Sequence, residues 1–194
     1  MADARRGMRA FISVELPDEV KARIGESLAG LKKIDSGIKW VETENLHLTL
    51  KFLGWVEEKD LDRLVKGTEE AAKGFPAFRM RIEGAGSFPE VGSPRVFWLG
   101  VTEGKAELEK IAAELERRLS GFRSEERGFS AHLTIGRVKD KKGVDKVKEK
   151  MGKVRFPDPG AIMVDHIKIM KSTLTPRGPI YEVYKSIELK EEKL

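Results

Sequence analysis

The chain has no cysteine, which rules out a disulfide framework and any thiolate metal site. No apolar run approaches the roughly 18 residues of a membrane-spanning helix, and the stretch Met1 to Met8 is charged rather than apolar. A soluble, cytoplasmic protein with no membrane partner is expected. There is no GxxxxGK phosphate loop and no GxGxxG after a strand, which argues against nucleotide-triphosphate enzymes of those kinds. A GxSxG elbow is missing too, so nothing singles out a nucleophilic serine.

Charge is plentiful. Lysine and arginine total 37 against 32 acidic residues, giving a net +5 and a sequence pI near 9.3, a balance that favours a phosphate-bearing partner. Charged residues make up 36% of the chain, rich in Lys and Glu, which also fits adaptation to high temperature. With 194 residues the chain can bury a proper core, either as one large domain or as two small lobes that fold as a unit.

Histidine is scarce, with three in the chain, yet two of them stand in nearly the same tetrapeptide: His47-Leu48-Thr49-Leu50 and His132-Leu133-Thr134-Ile135. In a strand, successive side chains point to opposite faces. His47 and Thr49 then share one face while Leu46, Leu48 and Leu50 share the other; Ser130, His132 and Thr134 likewise oppose Ala131, Leu133 and Ile135. Each strand offers one imidazole and one hydroxyl to a polar surface.

The surrounding pattern repeats as well. Arg9 to Leu16 alternates as a half-buried strand with Phe11 on its polar side, and Pro17-Asp18 opens a helix with Asp18 as N-cap. Motif strands are expected near 45–56 and 129–138, each followed by a helix beginning at Leu61 or Val144. Ser87 and Ser172 each lie 40 positions beyond their histidine, before a turn and a strand at Val96 or Ile180; Ile162 to Thr173 reads as one strand. Two such units point to an internal duplication. The strands carrying Trp98 and Tyr181 read as core, His166 as a structural or surface residue, and the charged helix faces as solvated.

Two neutral imidazoles facing one phosphorus can divide proton transfer, since a pKa near ~6.5 suits histidine to both tasks at neutral pH. Thr49 and Thr134 can donate hydrogen bonds to non-bridging oxygens as charge develops. Zinc would want three or four ligands, and no carboxylate recurs at a matching offset. No metal and no cofactor are expected.

These residues resemble the two-histidine phosphoesterases, and within them the RNA 2′,3′-cyclic phosphodiesterases also called 2′-5′ RNA ligases. The likeness rests on Arg9-Ala10-Phe11-Ile12, Asn45 through Gly54, Ala131 through Arg137, Lys171-Ser172-Thr173-Leu174 and Gly178 through Glu182. It implies a bilobal α+β fold over residues 1–194, with two pseudo-two-fold-related lobes. Each lobe would hold an antiparallel sheet flanked by helices, with a cleft between the sheets. It also implies metal-independent opening of RNA 2′,3′-cyclic phosphate ends, such as those of tRNA halves, to 2′-phosphates by a monomer, and a weak reverse 2′-5′ ligation. His47 would be the acid and His132 the base, although symmetry alone permits the exchange.

The family's cation after the second motif is matched by Arg137, which strict alternation puts on the core face unless a bulge turns it. Lys51 has the parity of the polar face, as a site residue or an ordinary exposed strand lysine; Phe11 is placed either to stack on a base or to pack beneath a loop, and Ser172 completes the substrate-binding set. The alternatives are a non-catalytic RNA-binding module and a phosphodiesterase for ADP-ribose cyclic phosphate or 2′-5′ oligonucleotides.

Overall fold

A computed structural model describes residues 6–123, 128–154, 160–176 and 178–190. The alternating Arg9 to Leu16 segment forms strand β1 (Gly7–Glu15), and α1 (Asp18–Lys32) turns Val20, Ile24, Leu28 and Leu31 inward. Pro17, not Asp18, occupies the N-cap, and its carbonyl accepts from Val20 and Lys21 N–H. Asp18 lies in the first turn and makes no cap bond, so its carboxylate acts on the positive helix terminus.

Next come β2 (Ile38–Trp40), the first motif strand β3 (His47–Glu57), α2 (Leu61–Ala72) and β4 (Phe78–Met80). They are followed by β5 (Ile82–Phe88), β6 (Val96–Val101), α3 (Lys105–Arg118) and the second motif strand β7 (His132–Val138). Helix α4 (Val144–Met151), β8 (Ile162–Val164), β9 (His166–Thr175) and β10 (Gly178–Glu188) complete the order. The expected single strand from Ile162 is broken at Asp165, whose carbonyl accepts from Leu189 N–H. Before the break β8 pairs with β4; after it β9 pairs with β1 and β10.

The two four-stranded sheets run β10-β9-β1-β3 and β2-β7-β6-β5, with antiparallel pairing throughout. The hairpin that follows each motif does not stay with it. β5 and β6 join the sheet of His132, while β9 and β10 join the sheet of His47, so Ser87 and Ser172 exchange sheets. Neither repeat contains a whole sheet.

The apolar faces of both motif strands enter the core, with Leu46, Leu48, Leu50, Leu133 and Ile135 all buried. α2 and α3 pack on each other, α3 lies against β3 and α2 against β10, while α1 meets α4. β3 and β7 come into contact although they belong to different sheets. The architecture is α+β and two-lobed, with the polar faces of the motif strands left on the site side.

Candidate active site

Each motif histidine folds back on the backbone two residues before it. His47 Nδ1 lies 2.7 Å from the Asn45 carbonyl, and His132 Nδ1 lies 2.7 Å from the Ser130 carbonyl. A carbonyl only accepts, so in both rings Nδ1 carries the hydrogen and Nε2 is the nitrogen left for proton transfer. In the neutral His47 ring Nε2 accepts from the Thr49 hydroxyl at 3.1 Å. His47, Thr49, His132 and Thr134 are all half-buried while their leucine neighbours are buried, as the alternation requires.

The strands then bulge at the same place. Against β1, Ser13 opposes Thr49 and Ile12 opposes Lys51, leaving Leu50 as an extra residue; against β6, Trp98 opposes Thr134 and Phe97 opposes Gly136, leaving Ile135. A bulge of one residue exchanges the faces beyond it. Lys51, expected on the site face, is thereby turned to the helix side, where its side chain is 2% exposed and pairs with Glu116 of α3. The same shift brings Arg137 out of the core face and leaves it exposed. Its charge is felt at both His47 and Tyr181.

Around His47 the sheet supplies two aromatic rings. Phe11 lies 4.8 Å from the imidazole centroid and 5.0 Å from Tyr181, which stands edge-on to His47 at 5.2 Å. Phe11 is only 3% exposed, so it buttresses the imidazole and cannot offer its face to a base. Tyr181, read from sequence as core, is half-buried and faces the site. Ser172 is half-buried and sits between Arg9 and Tyr181 in the ladder, on the site face of the same sheet.

Phe88 stands edge-on to His132 at 5.1 Å. Phe88 leans on Trp98 at 5.2 Å. The indole lies over Gly86, where an added Cβ would meet it at 2.4 Å, so the glycine makes room for the ring.

The electrostatic setting of His47 follows from its depth. Burial pushes its pKa below the ordinary value, helped by Lys21 and Arg137 and opposed by the Asn45 carbonyl and Glu15. Burial raises the Tyr181 phenol, with Arg137 opposing. Among the described residues no three His, Cys, Asp or Glu side chains gather as metal ligands, and His166 pairs with its neighbour Asp165 at 2.9 Å. Two imidazoles whose Nδ1 is held by a backbone carbonyl, two hydroxyls and a guanidinium form a set suited to proton transfer around an anionic centre.

A family model of the 2′-5′ RNA ligase superfamily matches residues 16–175. A Thermotoga maritima protein named RNA 2′,3′-cyclic phosphodiesterase is 44% identical over 178 residues, 91% of this chain and 92% of that protein. An Archaeoglobus fulgidus protein of the same name is 40% identical over 177 residues, 90% of this chain and 97% of that one. Among solved structures, E. coli LigT complexed with 3′-AMP superposes with a TM-score of 0.77 at 26% identity, covering 96% of this chain and 100% of that chain. No helix among the described residues is long and apolar enough to cross a membrane.

Proposed function

The chain belongs to the 2′-5′ RNA ligase superfamily, and on that premise we propose that it hydrolyses RNA 2′,3′-cyclic phosphate ends to 2′-phosphomonoesters through His47 and His132. The observation that carries this reading is the matched pair of Nδ1-to-carbonyl contacts, which gives both imidazoles the same tautomer and aims Nε2 as the working atom.

Water attacks phosphorus in line with the departing 3′-oxygen, forming one P–O bond as the P–O3′ bond breaks and leaving phosphate on the 2′-oxygen. His132 Nε2 takes the proton from water and His47 Nε2 gives one to the 3′-oxygen. Once His47 is protonated its Nε2 no longer accepts from Thr49, so the threonine hydroxyl turns to a non-bridging oxygen while the Nε2 hydrogen goes to the 3′-oxygen; Thr134 serves the other side. The incoming phosphate anion favours the imidazolium that burial disfavours. Arg137 stabilises charge on the phosphoryl oxygens, and Ser172 adds a hydroxyl to the site wall. The reverse reaction, weaker in water, joins RNA ends through a 2′-5′ bond. Residues 1–194 act as one domain with two repeats, because each repeat's hairpin completes the other's sheet.

The deciding experiment is turnover of RNA ending in a 2′,3′-cyclic phosphate, with identification of the hydroxyl that keeps the phosphate. A 2′-phosphate product is expected. A 3′-phosphate would mean that the 2′-oxygen departs and would overturn the assignment of the leaving group, and RNA affinity without turnover would make the protein a binding module. Activity should survive thorough EDTA treatment, since acid, base and hydrogen-bond donors all come from side chains; loss restored by zinc or magnesium would contradict this.

A further inference from the structure

Five residues beyond each motif histidine, past the matching bulge, the two strands part company: one presents Arg137, the other Phe52. The cation absent at Phe52 is supplied from elsewhere. Arg9 on β1 places its guanidinium carbon 5.9 Å from the centre of the Phe52 ring, and Arg123, beyond α3, places its own 5.7 Å from the same ring. Neither guanidinium pairs with a carboxylate among the described residues, and Arg9 Nε is buried without a hydrogen-bond partner. Two guanidiniums held over one ring repel each other, and an anion between them relieves the repulsion.

Arg9 opposes Trp55 across the ladder, which puts the two side chains on one face, and Trp55 is 47% exposed. A large exposed indole beside paired guanidiniums is the combination that holds single-stranded nucleic acid, arginine meeting phosphate and the ring meeting a base. From His47 to Trp55 the strand spans the six partner steps from Glu15 to Arg9, roughly 20 Å at the usual rise, a longer reach than one terminal nucleotide needs.

We propose that Arg9, Arg123, Phe52 and Trp55 form a second subsite, which grips the RNA strand leading into the cyclic phosphate. The guanidiniums take a backbone phosphodiester and Trp55 stacks on a base upstream of the reacting end. This rests on the function proposed above and adds a preference for a polynucleotide over a mononucleotide.

The test compares kcat/KM for a nucleoside 2′,3′-cyclic phosphate and for a pentaribonucleotide ending in the same group, in the unaltered protein, Arg123→Ala and Trp55→Ala. The pentamer should be preferred about tenfold or more, and each substitution should cut that preference about three- to tenfold. Arg123→Ala should also flatten the slope of log(kcat/KM) for the pentamer against log salt by roughly 0.7. Equal losses on both substrates, or an undiminished preference in both variants, would overturn the subsite. If the unaltered protein turns over neither substrate, the phosphodiesterase reading is at fault and the subsite is judged by binding of the 2′-phosphorylated pentamer: weaker in both variants supports it, equal affinity overturns it.

Discussion

His47 and His132 begin from one tetrapeptide and end in different surroundings. Both rings make the same 2.7 Å contact to the carbonyl two residues back, because that contact is local to the motif. Everything further out differs. His47 packs against Phe11 and Tyr181, which also touch each other, and is hydrogen-bonded to Thr49, whereas His132 has Phe88 at its edge. Four and five residues on, Lys51 and Phe52 face Gly136 and Arg137 as counterparts. Short-range sequence sets the tautomer, and strands from remote parts of the chain set the depth and the field. On the mechanism proposed above, the same motif serves as acid on one side and base on the other.

The largest effect that would sharpen this contrast comes from removing either ring. His47→Ala and His132→Ala should each lower the rate by about 10²–10⁴ with a smaller change in binding, as lost general acid or base does. A substrate whose 3′ leaving group needs no proton should largely restore His47→Ala and leave His132→Ala impaired. Restoration of His132→Ala instead would exchange the roles, and restoration of neither would make the histidines phosphate binders.

The two cations beyond the bulges provide the next comparison. Arg137→Ala removes a donor from the site face and should cost about 10² in kcat/KM. Lys51→Met removes a charge that faces α3, where Glu116 remains 45% exposed and hydrated, so the rate should hold and stability should change by no more than about 1 kcal/mol. Steady-state kinetics and a thermal melt on both variants check the pair. A rate loss in Lys51→Met as large as in Arg137→Ala would place the lysine in the site after all.

Alternation made the faces of Leu46 through Leu50 and Ala131 through Ile135 readable without any structure, because one side of each strand is buried and a period of two is all that this requires. The bulges were not readable. Leu50 and Ile135 are apolar residues between apolar neighbours, and nothing in their side chains marks the point where the register slips. That is why Lys51 carried the wrong parity, while Arg137 was expected to need a bulge only because the family resemblance required its charge. Tyr181 reads as core in the sequence and Phe88 is not singled out there, for a different reason. They reach the histidines through hairpins that cross between sheets, and a contact between positions 47 and 181 leaves no local periodicity. Ser87 and Ser172 did mark the repeat by their equal offsets, but the offset could not tell which sheet each would join.

The smallest effect concerns protons, and its sign follows from the depth of His47. Burial holds its folded pKa below the ordinary value of about 6.5 that the unfolded chain retains. Between those two values the unfolded chain binds more protons than the folded one, so this group makes stability rise with pH across that window. Its contribution is fully present above about 6.5 and is lost as pH falls through the lowered folded pKa. Replacing His47 by Gln should therefore flatten the pH dependence of the melting temperature on the acid side of neutrality, measured as a difference from the unaltered protein so that other groups cancel. Titration of the His47 ring followed by NMR should give a midpoint below the ordinary histidine value, and Arg137→Ala should move that midpoint upward, because a nearby cation is one of the causes of the shift. A midpoint at or above the ordinary value would mean that water reaches the imidazole past Phe11 and Tyr181. The enclosure of His47 by those two rings would then fail as the cause of its lowered pKa.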